Sequence, residues 1–123
     1  MITGVVTPDR EAIVRVTVHD RDGKNHEVEA VIDTGFDGSL TLPSSVIALL
    51  GLTWRRRGRV LLADGSESVC DIFEGTITWD AGPRRIPVDA AETVPLIGMS
   101  LLYGYELLMR VTEGGDVRIT ALP

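Results

Sequence analysis

The chain has 123 residues, with 18 Asp+Glu against 12 Lys+Arg and a formal net charge of −6. That length suits one domain, residues 1–123, able to bury a core without covalent staples. The acidic balance excludes general nucleic-acid binding, which needs a basic face. A single cysteine, Cys70, leaves no internal disulfide; it fits a reducing compartment and is expected as a small core residue.

The first residues, Met1-Ile2-Thr3-Gly4, carry no charged segment followed by an apolar core, so no signal peptide is expected. No apolar run approaches a membrane span. His19 and His26 are too few to suggest a zinc site with Cys70. The expectation is a soluble cytoplasmic protein with no metal, no membrane and no nucleic acid among its partners.

Along the chain, residues 11–19 alternate, with Val14, Val16 and Val18 on one face and Arg15, Thr17 and His19 on the other. Asp20-Arg21-Asp22-Gly23 is a turn signal. Val28, Ala30 and Ile32 then alternate with Glu27, Glu29 and Val31, so a hairpin is expected with its second strand running into Asp33. Residues 39–42 read as a short strand broken by Pro43. Ser44 is placed to cap a short helix over 45–50, which Gly51 would end.

Residues 54–63 read as a strand, and Asp64-Gly65 is a strong hairpin signal. Residues 69–79 return, with Gly75 expected as a bend or bulge. The run Arg55-Arg56-Arg57-Gly58-Arg59 is a local basic patch, read as a solvated strand edge in so acidic a chain. After a turn over 80–83 comes a short strand over 86–89. Residues 94–102 then run from apolar residues through Gly98 into a brief helix ended near Gly104. A last hairpin joins 105–112 to 117–122 through Gly114-Gly115. Short strands, frequent turns and one or two brief helices predict an all-β domain, closed or sandwiched.

In Val31-Ile32-Asp33-Thr34-Gly35-Phe36 an apolar strand end runs into a polar triplet. Alone, it is compatible with a polar turn between strands. An apolar pair running into Asp33-Thr34-Gly35 also resembles the active-site loop of the retropepsin-like aspartic proteases, most closely the small prokaryotic branch in which Phe follows the triplet. Leu96-Ile97-Gly98, before a short helix, is similar to that family's apolar-apolar-Gly segment. Asp64-Gly65 stands where the family has its flap hairpin. The resemblance covers nearly the whole chain in order.

The resemblance implies a retropepsin-like β-barrel or sandwich acting as a two-fold homodimer, an aspartic endopeptidase on peptide or protein substrates, with no metal or organic cofactor. It implies that Asp33 is catalytic and that Thr34 and Gly35 hold the loop and the dimer contact. It places Phe36, Asp37, Ala63, Asp64 and Gly65 at the substrate, and Leu96, Ile97 and Gly98 behind the loop as its support. Phe36 is expected either beside the substrate channel or turned into the core. Two carboxylates at short range can share one proton and so supply base and acid together. One Asp-Thr-Gly per chain then requires two chains.

Three other readings remain open at this level. The same barrel could bind extended peptides without cutting them. The segment 31–38 also resembles the Asp-bearing, aromatic-Gly segment of trimeric dUTP pyrophosphatases, although that family's Arg-Ser-Gly segment and Gly-rich C-terminal arm have no counterpart here. Asp33 and Asp37 could form a two-carboxylate sugar site within one chain, but they are poorly spaced for it and few aromatic residues are available to stack on sugars.

Overall fold

The computed structural model describes residues 1–61 and 64–123. The chain runs β1 (Ile2–Val6), β2 (Ala12–His19), β3 (Asn25–Ile32), β4 (Leu40–Leu42), α1 (Ser44–Leu50), β5 (Thr53–Leu61), β6 (Glu67–Trp79), β7 (Gly82–Ala90), β8 (Leu96–Ile97), α2 (Met99–Leu102), β9 (Tyr105–Met109) and β10 (Asp116–Ala121). No helix among the described residues is long and apolar enough to cross a membrane.

The strands form one sheet in the order β5-β6-β7-β4-β8-β3-β2-β1-β10-β9, and β6 also pairs with β2. That pairing, Thr17 with Thr78 and His19 with Thr76, closes the sheet on itself. The ring β2-β3-β8-β4-β7-β6 is a closed barrel, as an all-β chain of short strands predicts. The β5–β6 hairpin extends from one side of it and the β1, β10 and β9 strands from another.

Alternation explains the core. On β2, Val14, Val16 and Val18 point inward and are buried. Ile77 and Trp79 of β6, Ile86 and Val88 of β7 and Ile97 of β8 meet them inside the ring. Each fully buried aliphatic side chain contributes about 1.5–3 kcal/mol. Leu101 and Leu102 of α2 and Ile47 and Leu50 of α1 bury their apolar faces against the same core.

Several expectations are corrected. Ser44 begins α1 and does not cap it: Pro43 precedes the helix with no side-chain cap, and the Ser44 N–H instead donates to Glu92 Oε1 at 3.0 Å. Gly75 is no bulge, since the β6–β7 register runs through Gly75 and Ile86 without a shift. The irregularity lies on the partner strand, between Trp54 and Arg56. The strand expected over 86–89 is longer, because Gly82 and Pro83 already pair with Trp79 and Thr78. The strand expected from residue 105 ends at Met109. Cys70 is half-buried on β6, outside the core.

The basic run lies on β5, the outer strand of the hairpin. Arg55 pairs with Glu74, Arg57 with Asp71 at 3.7 Å and Arg59 with Glu67 at 3.3 Å, all across the β5–β6 ladder. Exposed pairs of this kind contribute roughly 0–1 kcal/mol each. Their charge also guards a sheet edge against pairing with other chains.

Candidate active site

β3 delivers Asp33 at its C-terminal end, next to β8. The two strands run parallel, Val31 beside Leu96 and Ile32 beside Ile97. The Asp33 N–H donates to the Ile97 carbonyl at 2.9 Å, one residue beyond the ladder. The chain then turns: the Phe36 N–H donates to the Asp33 carbonyl at 3.1 Å, and the Gly35 N–H donates to Asp33 Oδ1 at 2.9 Å. One carboxylate oxygen is thereby aimed along its own loop. Asp33 is half-buried, while Thr34 and Gly35 are exposed.

The back of the loop is tied to the start of α2. Met99 N–H donates to the Phe36 carbonyl at 2.8 Å, Ser100 N–H to the Gly38 carbonyl at 3.0 Å, and Gly98 N–H to the Ser39 carbonyl at 3.0 Å. The Ser100 hydroxyl donates to the Asp37 carbonyl. Gly98 makes this approach possible. Its backbone is extended, so the reason is space: a Cβ there would collide with the Gly38 carbonyl and the Phe36 ring.

Thr41, buried on β4, adds a strut that has no mark in the local residue pattern. Its Oγ1 accepts the Leu96 N–H at 2.9 Å, where β4 and β8 share only the Leu40–Ile97 pairing. A side-chain hydroxyl thus replaces a missing ladder bond behind the loop.

Two concavities flank the loop. A groove of about 450 Å³ lies between Phe36, the Ser68–Asp71 stretch of β6 and the end of β7 at Asp89, Ala90 and Ala91. A second, of about 360 Å³, is bordered by Asp37, Met99, Ser100 and Tyr103. Tyr103 is 86% exposed and Met99 49% exposed, so large apolar side chains stand open on the Asp37 side of the loop.

Phe36 combines the two places open to it. It is half-buried, packs over Gly38 and Gly98, and lines the groove. Asp64 and Gly65 are at the exposed tip of the β5–β6 hairpin. Gly65 has φ +85°, and Asp64 Oδ1 accepts the Ser66 N–H at 2.9 Å, a bond that together with the Ser66 hydroxyl holds the Asp64 carboxyl below the usual carboxylate range. The part of the hairpin that lines the groove is its stem, at Ser68–Asp71. Ala63 lies outside the described residues.

Cys70 and Asp89 face this groove and were not expected there. Burial pushes the Cys70 thiol up, and the nearby Asp89 and Asp71 charges push it further, so it is a poor nucleophile near neutral pH. Burial also raises Asp89, against an opposing pull from Arg56 and with a further push from Asp37. Alternation alone puts Asp89 on the outer face of β7, opposite the inward Val88. Nothing local shows that the Phe36 loop and the Ser68–Asp71 stretch of β6 border that face.

Elsewhere, His19 Nε2 meets Thr78 Oγ1 and His26 Nε2 meets Asp20 Oδ2, both at 2.8 Å. Among the described residues no group of three or more His, Cys, Asp or Glu side chains is placed to hold a metal ion.

A closed barrel with a charged hairpin on one side, and an Asp-Thr-Gly loop braced by a short parallel strand and helix, has the fold of the retropepsin-like class. The chain is similar in structure to a retropepsin-like aspartic protease from Rickettsia conorii, with a TM-score of 0.59 over 99% of this chain and 91% of that one. Sequence identity is 14%, so the likeness is one of fold. No protein-family model and no curated protein matches the sequence.

Proposed function

We propose that the protein is an aspartic endopeptidase whose active site forms where two chains meet on a two-fold axis, one Asp33 from each. The observation that carries this reading is the placement of Asp33. Its amide is fixed to Ile97, and its loop presents exposed Thr34 and Gly35, in a barrel similar to that of a retropepsin-like protease. The exposed Met99 and Tyr103 beside the loop supply apolar surface for the second copy.

In this reading one carboxylate takes a proton from water while the other, protonated, donates to the peptide carbonyl oxygen. The water oxygen bonds to the carbonyl carbon. The tetrahedral intermediate then releases the amine, which leaves with a proton returned from the dyad. The peptide lies extended between the loop and the β6 stem, as an added strand. Thr34 and Gly35 hold the dimer contact, and Asp37 and the hairpin tip at Asp64 and Gly65 close over the peptide.

Cleavage of a peptide library by wild type and by Asp33→Asn, at several acidic pH values, tests the assignment. Wild type is expected to cut and the variant to fold, dimerise and fail to cut. Equal cleavage by both proteins would remove Asp33 from the chemistry. Peptide binding without cleavage by wild type would leave a binding barrel in its place, and release of pyrophosphate from dUTP would move the protein to the other enzyme class.

A further inference from the structure

We infer that the groove beside Phe36 receives a lysine or arginine side chain of the bound peptide, with Asp89 as its counter-ion. This rests on the proposal that the Asp33 loop binds extended peptides, and it adds which side chain those peptides carry.

The groove has the two halves such a side chain needs. Phe36, Val69, Ala90 and Ala91 supply apolar walls for a methylene stem. Asp89 supplies the charge. Its Oδ2 stands 3.3 Å from where a Cβ on Gly38 would lie, so the carboxylate is turned toward the loop and across the groove.

Among the described residues no hydrogen bond or ion pair reaches the Asp89 carboxylate. Arg56 on β5 acts on it only through space, and its two other influences are burial and the charge of Asp37. Asp71 on β6 is engaged by Arg57 at 3.7 Å and by Trp54 Nε1 at 3.2 Å. Cys70, also on β6, carries no charge near neutral pH. A half-buried carboxylate that the described residues leave without a hydrogen bond is partly desolvated, and an arriving ammonium or guanidinium offsets that cost. A norleucine side chain fills the same walls and leaves Asp89 unpaired. A glutamate adds a like charge.

The test measures binding, which is independent of cleavage. Labelled extended peptides, differing only by Lys, Arg, norleucine or Glu at one position at a time, are titrated against Asp33→Asn protein and against Asp33→Asn/Asp89→Asn. At one position Lys or Arg should bind about ten- to hundredfold tighter than norleucine, the scale of a hydrogen bond to a charged group. The double variant should lose that gap. Asp89→Lys in the same background should favour Glu at that position, a gain that a misfolded protein cannot show.

On lowering the pH, the Lys advantage should fade in the Asp33→Asn protein while norleucine affinity holds. The double variant, which retains Asp37, Asp71 and Arg56, controls for the other groups facing the groove. A basic preference that survives Asp89→Asn, or none at any position, overturns the inference. Wild-type cleavage without a basic preference overturns it alone. An Asp89-dependent preference in a protein that cuts nothing upholds it and removes only the catalytic proposal. Failure of every peptide to bind removes both.

Discussion

Gly98 and Phe36 occupy each other's space: a methyl group on Gly98 would stand 2.5 Å from Cδ2 of the Phe36 ring and 2.7 Å from the Phe36 carbonyl oxygen. The second contact is with backbone, which cannot swing aside. Gly98→Ala is therefore expected to cost about 1–3 kcal/mol, the usual scale of overpacking. Because Ile97 holds the Asp33 amide, the variant should also lose peptide cleavage beyond its loss of stability. Denaturant unfolding gives the first quantity and cleavage well below the unfolding midpoint the second. A variant as stable as wild type would mean that the loop yields without resistance.

Thr41→Val keeps the shape of a buried side chain and removes the acceptor of the Leu96 N–H. A buried donor left unpaired costs about 1–3 kcal/mol. The loss should appear locally as well. Amide exchange at Leu96 and at Asp33 should quicken more than exchange in the β2–β3 hairpin. Uniform quickening across the barrel would place the effect in global stability and deny Thr41 its bracing role.

Gly65 lies at φ +85°, and among the described residues nothing stands within 4 Å of a Cβ position. Any cost of Gly65→Val is therefore one of backbone conformation, roughly 1–2 kcal/mol. If the hairpin tip covers a bound peptide, affinity for a statine-type inhibitor should fall by more than the change in unfolding free energy explains. Equal small losses in both would confine the tip to a turn.

Asp89 gives a pH dependence with a definite sign. Burial raises its folded pKa above the unfolded value, so its contribution to stability is fully present below the unfolded value and is lost as pH rises through the folded one. Near neutral pH the ionised carboxylate, half-buried and without a hydrogen bond among the described residues, is a net cost. Asp89→Asn should therefore be more stable than wild type near neutral pH, with the gap closing as the pH falls. Unfolding midpoints of both proteins across that range decide it. A gap that widened on acidification would mean that Asp89 is paired in the folded protein.

Much of the frame could be read from local pattern. The alternation of Val14, Val16 and Val18 and of Val28, Ala30 and Ile32 marks the hairpin that carries Asp33, and Leu96-Ile97-Gly98 marks what stands behind it. β1 was hidden because Gly4 interrupts its apolar face. A side chain there would strike the Ile13 carbonyl, so the residue that spoils the pattern is the one the strand pairing requires. Glycine in a strand signals a bulge only where the register slips. At Gly75 a side chain would stand 2.9 Å from Val88 Cγ2, so close packing and not a bulge explains the residue. Cys70 and Asp89 lie in the groove for a shared reason that local pattern does not carry. Their groove opens where β4 pairs with β7, Leu40 beside Val88, and that long-range pairing leaves no mark on any single stretch of sequence.

The ring closure bears on the order in which the protein takes shape. Thr17 must find Thr78, and Val31 must find Leu96, before the barrel shuts. Each of these contacts closes a long loop of chain, and its entropy is lost before the contact repays it. The β2–β3 hairpin can form early, but it ends in an Asp33 whose amide has no partner until β8 has been made and docked. During synthesis the segment reaching Ile97 emerges long after the triplet. The loop's shape is thus conditional on most of the chain being in place, and whatever reaction it performs is withheld from the nascent polypeptide.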